Sequence, residues 1–180
     1  LASGTTAIPT AAVNGGAGTD TISMTSVSAD AFDINTNFAA AISGFEKLEI
    51  SDTFLNAAAT QETLILDMEK LGFNYVITNG TGISTLQDRI SLTNLAANAT
   101  VELNANGLVI AALKTATGTA DVMNVVTNVT TSAVDFGTFT VASVETVNIT
   151  ANDTQWDDNS DDVIDSTNDI VEVATLNLTA

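Results

Sequence analysis

The sequence has no cysteine and no histidine, a single proline, one tryptophan, one tyrosine and only four basic residues, Lys47, Lys70, Arg89 and Lys114. Without Cys or His, disulfides, thiolate nucleophiles, Ser-His triads and the usual zinc and copper ligands are all excluded. Only oxygen ligands remain, which suit calcium and, less well, magnesium. The lone Trp156 and Tyr75 offer little aromatic surface for stacking on sugars. Against four basic residues stand 22 acidic ones, a formal net charge of −18, which argues against nucleic acid as a partner. No apolar run approaches the roughly 18 residues of a membrane span, so none is expected, and no signal-like segment opens the chain. Beyond Lys114 there is no positive side chain, so the carboxylates there are solvated or neutralised from outside the chain. Metal cations are the economical source of that charge, and plain solubility is the alternative.

What is present is small and branched. The chain of 180 residues is 45% hydrophobic but only 5% aromatic, with Ala, Thr, Val, Asn and Asp prominent. Such residues suit thin, repetitively packed sheets, and the length suits one sizeable core. Residues 15–23, Gly15-Gly16-Ala17-Gly18-Thr19-Asp20-Thr21-Ile22-Ser23, fit the nonapeptide G-G-x-G-x-D-x-U-x, a calcium loop feeding a strand. The glycines permit positive φ, which turns carbonyl oxygens inward, and Asp20 adds a hard anionic oxygen. Looser echoes place Asp before alternating apolar residues at Asp88-x-Ile90-x-Leu92, Asp121-x-Met123-x-Val125 and Asp169-x-Val171-x-Val173, with Asp162-x-Ile164 a partial copy. The competing reading of these is Asp as an ordinary turn residue before a strand.

Residues 1–14 read as a linker or an edge strand, and residues 15–180 as a single elongated β domain. A short helix is expected over 29–42, where Phe32, Phe38, Ala39 and Ile42 recur at helical spacing. Residues 44–50 alternate as a strand, and residues 143–149 repeat their pattern. Asp20 and Asp121 are offset by a similar distance, which suggests two degenerate copies of a long unit, about 15–115 and 116–180, the second cut short. The chain's start at Leu1 and its end on an alternating pattern suggest a piece of a longer protein. Strands are expected at 63–68, 74–78, 89–95, 99–103 and 108–113, with a helix over 61–71 closed by Gly72 competing at the first of them. Short strands near ten residues apart with Asn/Gly punctuation give an all-β chain. We expect a right-handed parallel β-helix or solenoid with one or two short helices, and an antiparallel β-sandwich as the alternative.

The densest oxygen-ligand cluster is 153–169, where Asp153, Asp157, Asp158, Asn159, Asp161, Asp162, Asp165 and Asp169 lie within one segment. It is not an EF-hand, because counting from Asp157 the glycine position holds Asp162 and the bidentate Glu position holds Asn168. A solvated loop is the alternative, opposed by Trp156, Val163 and Ile164, which would pin the segment down. The expected metal ligands are therefore Gly15, Gly16, Gly18, Asp20, Asp121 and this cluster, and the expected cofactor is Ca2+. Asn-x-Thr sequons at Asn79, Asn98, Asn128, Asn148, Asn152 and Asn177 carry no assigned function.

The nonapeptide, the phrases Ile42-Ser43-Gly44-Phe45-Glu46-Lys47-Leu48 and Val144-Glu145-Thr146-Val147-Asn148-Ile149-Thr150, and the stretch 94–101 resemble repeat-in-toxin (RTX) proteins. More narrowly, they are similar to bacterial surface-layer proteins and large secreted adhesins of that group. The resemblance implies type I secretion, calcium-dependent folding outside the cell, a solenoid-like architecture and a structural role with self-assembly of the parent protein. An adhesin or carbohydrate-binding module, with cell-surface polysaccharide as partner, is the second expectation. A polysaccharide-active enzyme using Asp88 and Arg89 is the third.

Overall fold

The computed structural model describes residues 9, 11–35, 37–54, 61–81, 88–129, 136–153 and 175–179. Strand-forming alternation dominates them. In chain order the strands are β1 (Val13–Asn14), β2 (Thr21–Met24), β3 (Ile42–Ser43), β4 (Lys47–Ile50), β5 (Thr63–Asp67), β6 (Tyr75–Thr78), β7 (Arg89–Leu95), β8 (Ala99–Leu103), β9 (Gly107–Leu113), β10 (Val122–Val129), β11 (Gly137–Ala142), β12 (Thr146–Asp153) and β13 (Thr175–Thr179). Every strand pair among them is parallel. The chain is therefore all-β and parallel, and the antiparallel sandwich is not what forms.

From β4 onward the chain visits two sheets in alternation. The larger has the order β12-β10-β8-β6-β4-β2 and the smaller β13-β11-β9-β7-β5, while β1 and β3 form a two-stranded ribbon. In the larger sheet, paired residues are 24–28 positions apart in sequence, so each circuit of the chain adds one strand. Circuits in the smaller sheet vary from 18 to 37 residues. Because side chains alternate across a strand, this register stacks like on like. Ile22, Leu48, Val76, Val101, Val125 and Ile149 form one inward row. Leu64, Ile90, Val109 and Phe139 form its counterpart in the other sheet. The buried members of both rows belong to a single hydrophobic cluster. Each sheet buries one face, so β4 and β5 alternate buried inward positions with less buried outward ones, and apolar residues supply the inward rows.

The helical region departs from expectation. Instead of one helix over 29–42 there are two, α1 (Ser26–Asp33) and α2 (Phe38–Ala41), and Ile42 is already in β3. Thr25 caps α1 by accepting from the Ser28 N–H, and the chain turns after Asp33, leaving Ile34 80% exposed. The Phe spacing reflects a stack across the break: the Phe32 and Phe38 rings lie 4.4 Å apart and nearly parallel. Strand β5 forms as expected but stops at Asp67, because 68–71 wind into a single helical turn, α3 (Met68–Leu71). Gly72 ends that turn at φ 83, a left-handed conformation suited to glycine. The expected strand at 44–50 is shorter, starting at Lys47, because Gly44 turns the chain at φ 66.

Between α1 and α3 lie two carboxylates. Asp33 is 7% exposed with Oδ1 unpartnered, and burial raises it above the ordinary carboxylate pKa. Burial acts to raise Asp67 too, but hydrogen bonds from Asn94 and Lys70 outweigh it and hold that carboxyl lower.

Three glycines mark a corner where successive circuits touch by backbone alone. A Cβ on Gly80 would sit 2.2 Å from the Asn106 carbonyl oxygen, and one on Gly137 2.3 Å from that of Gly107. On Gly107 it would sit 2.7 Å from the Thr81 nitrogen. At the opposite extreme, amides stitch the outer face: Asn148 Nδ2 donates to Asn124 Oδ1 at 3.0 Å, and Asn152 Nδ2 to Asn128 Oδ1 at 3.0 Å. Asn104 and Asn79 pair in the same way at 3.4 Å.

Candidate metal centre

Strand entry in the larger sheet is built on carboxylates that reach back one circuit. Asp20 precedes β2, and its carbonyl accepts from the N–H groups of Glu46 (3.0 Å) and Lys47 (3.1 Å). In return the Asp20 N–H donates to Glu46 Oε2 at 2.8 Å, which brings a second carboxylate to the glycine turn. The turn itself has the expected backbone, with Gly16 at φ 104 and Gly18 at φ 126. Gly15 is required for a different reason, since a Cβ there would lie 2.1 Å from the Gly44 carbonyl oxygen and 2.9 Å from Asp20 Cβ. Gly15 N–H donates to the Ser43 carbonyl at 3.0 Å and Gly16 N–H to Asn14 Oδ1 at 2.8 Å, fixing the turn against β3.

Within this arrangement Asp20 Oδ2 is shielded from solvent and has no hydrogen-bond partner. A buried carboxylate oxygen without a partner carries a desolvation penalty that a cation relieves. The nearest basic side chain in sequence does not supply it, because Lys47 Nζ sits 4.1 Å above the Tyr75 ring. Asp20 and Glu46 thus bring two carboxylates to the same glycine turn, joined through the Asp20 N–H. Among the described residues no group of three or more acidic side chains converges on one point.

Asp121 stands in the equivalent place before β10. Its N–H donates to Glu145 Oε2 at 2.8 Å and its carbonyl accepts from Thr146 N–H at 3.1 Å, repeating the Asp20 and Glu46 contacts. It differs in closing its own turn, with Oδ2 accepting from Gly118 N–H at 3.2 Å. Asp153 is the last residue of β12, and Asp157, Asp158, Asn159, Asp161, Asp162, Asp165 and Asp169 lie outside the described residues.

The same device recurs elsewhere. Asp52 accepts from the Ser26 N–H (2.6 Å) and hydroxyl (2.8 Å), and Asp88 accepts from the Glu62 N–H at 2.9 Å. Asp88 is 1% exposed, so the carboxylate beside Arg89 faces the backbone of the preceding circuit. Sequence reasoning did not find Glu46, Glu145 or Asp52. Their signal is an acidic residue about one circuit after the start of an earlier element, strand β2 or β10 for Glu46 and Glu145 and helix α1 for Asp52, visible only once the circuit length is known.

On the outer face a further line of contacts crosses four strands. From Lys47 on β4 it passes to the Tyr75 ring on β6, whose hydroxyl donates to Glu102 Oε2 on β8 at 2.6 Å. Glu102 Oε1 accepts from Asn128 on β10. Burial, followed by the Glu102 hydrogen bond and charge, pushes the Tyr75 phenol well above its ordinary pKa.

When the chain is compared with known proteins, no family model, no curated protein and no solved structure matches it.

Proposed function

We propose that the chain is a structural module of a secreted, calcium-dependent bacterial surface-layer protein, wound as a right-handed parallel β-solenoid. The observation that carries this reading is Asp20 Oδ2, an unpartnered shielded oxygen in a glycine turn of nonapeptide sequence, with Glu46 beside it. Asp20, Glu46 and carbonyls of the Gly15–Gly18 turn would hold the ion, and Asp121 with Glu145 is the candidate for a second site of similar construction. The bound ion supplies positive charge to a chain that has four basic residues against 22 acidic ones. Right-handed winding follows from crossovers between parallel strands of one sheet, which take that hand in about 98% of cases. Secretion by a type I route, assembly with copies of the parent protein and display on the cell surface complete the reading, and they rest on the RTX resemblance.

At a dissociation constant of about 0.1 mM, about 1 mM calcium adds roughly 1.4 kcal/mol per site. Thermal unfolding in millimolar calcium should therefore occur several degrees above that in excess chelator at equal ionic strength, and calorimetric titration should return a stoichiometric heat. Asp20→Ala should remove one step of that heat. An unchanged melting temperature in the wild-type chain, with no heat, would exclude calcium binding.

A further inference from the structure

Helix α1 meets a carboxylate at each end, and only one of the two sits where a helix favours an anion. At the N-terminus Asp52 accepts from the Ser26 N–H at 2.6 Å and from its hydroxyl at 2.8 Å. There the free N–H groups and the positive end of the helix dipole suit a negative charge. At the other end Asp33 is the last helical residue, beside the carbonyls of the negative end, and no basic residue lies in the last turn. Asp33 is also buried, with Oδ1 shielded and unpartnered.

α1 packs against β5 and α3, and these elements direct their donors mainly to Asp67. The Lys70 N–H and ammonium both reach Asp67, at 3.4 Å each, and Asn94 bonds Asp67 as well. Asp33 receives the Asp67 N–H. The charges that face it are Asp30 from α1 itself and Asp67 from β5, which oppose its ionisation, and Lys70 from α3, which favours it. Glu69, the other charged residue of α3, pairs with Lys114. Burial outweighs the Asp67 N–H and Lys70, so Asp33 keeps its proton to higher pH than an ordinary carboxylate. In such a site an ionised, unpaired carboxylate costs more than the neutral acid of the same shape.

We propose that α1 is a proton-operated latch: its docking on β5 and α3 is firm while Asp33 carries a proton and loosens when Asp33 ionises. The underside of the latch is apolar, with Ala29 and Phe32 buried and Phe32 stacked on Phe38, so loosening bares that surface as pH rises. By linkage, a carboxyl held above its unfolded value contributes stability that is complete below about pH 3.9 and is lost as pH rises through the folded pKa. Asp33→Asn keeps the shape and an acceptor for the Asp67 N–H but cannot ionise. Variant and wild type are compared by thermal unfolding and amide exchange from about pH 4 to about pH 7.5, the range above the unfolded carboxylate value. One buffer of fixed calcium serves both, so the other carboxylates and any bound metal are common to the two chains and the outcome does not depend on the metal reading. The melting temperature of the variant minus that of the wild type should grow across this range, and at its upper end α1 amides should exchange several-fold more slowly in the variant. In the wild type alone, α1 amides should lose protection over the same range, beyond the intrinsic rise in exchange rate, while those of β7 and β8 do not. A melting difference that stays constant or falls with pH, or α1 protection as constant as that of β7 and β8, overturns the proposal.

Discussion

At the scale of single residues, Tyr75 is the best internal probe the chain has, because it is the sole tyrosine. Its ring is covered by Lys47 and its hydroxyl donates to Glu102, which is 8% exposed. Burial and the adjacent carboxylate both favour the neutral phenol, so its folded pKa lies above the unfolded value of about 10. The proton is therefore bound more tightly in the folded chain. This contribution to stability is complete below the unfolded pKa and is lost as pH rises above it. Phenolate absorbance should stay absent at about pH 10, where a free tyrosine is half ionised, and appear together with loss of the circular dichroism signal. Glu102→Gln, which keeps an acceptor and removes the charge, should bring phenolate formation to lower pH in the folded state. Equal titration of wild type and variant would show that Glu102 does not act on Tyr75. None of this was legible in the sequence, where Tyr75 and Glu102 are 27 residues apart and only the register of β6 on β8 joins them.

At the scale of elements, the strands were the readable part. Residues 89–95 and 99–103 alternate so regularly that β7 and β8 have the expected bounds, and their inward rows Ile90, Leu92, Val101 and Leu103 are buried. The helices were less readable, because helical spacing of Phe32 and Phe38 is also produced by two short helices with their aromatic rings stacked across a turn. The circuit was hidden as well: the Asp20 and Asp121 echo spans four strand additions in the larger sheet, and of the three strands between, only β4 follows an acid, Glu46, while β6 and β8 follow Asn74 and Asn98. Side-chain amides and carboxylates can cap the same backbone groups, so selection for that contact does not preserve one residue type. The glycine corner was equally silent, since Gly80, Gly107 and Gly137 are remote in sequence. It yields a sharp test, because each faces backbone that cannot move aside like a flexible side chain. Gly137→Ala meets the Gly107 carbonyl at 2.3 Å in a positive-φ conformation and should destabilise the chain by about 2 kcal/mol or more. Gly118→Ala, with its nearest contact an ordinary 3.4 Å to the Asp121 carboxylate, should be neutral to slightly stabilising. Denaturant unfolding of both variants measures the difference, and equal midpoints would mean the corner yields without strain.

At the scale of the whole molecule, two features oppose each other. The charge of −18 makes copies repel, while the larger sheet ends in strands, β2 and β12, that each pair on one side only among the described residues. The end at β12 is also apolar in part: Ile149 continues the inward row through Val125 yet is 47% exposed. A free strand edge with an exposed inward residue favours addition of another strand, and joining β12 of one copy to β2 of the next is a heterologous contact that repeats rather than closes. Charge decides whether such addition occurs. In salt of about 0.1 M the screening length is about 10 Å, so general screening weakens repulsion between copies without removing it at contact. A divalent ion bound at Asp20 and Glu46 would act beyond screening, because it neutralises carboxylates next to β2 itself. Light scattering should therefore show growth of large assemblies in millimolar calcium that sodium at matched ionic strength does not produce. Asp20→Ala should delay that growth, and replacing Ile149 with Lys should suppress it while leaving calcium binding intact. If calcium and sodium gave the same scattering, screening alone would account for association, and the ion's part would be confined to the fold.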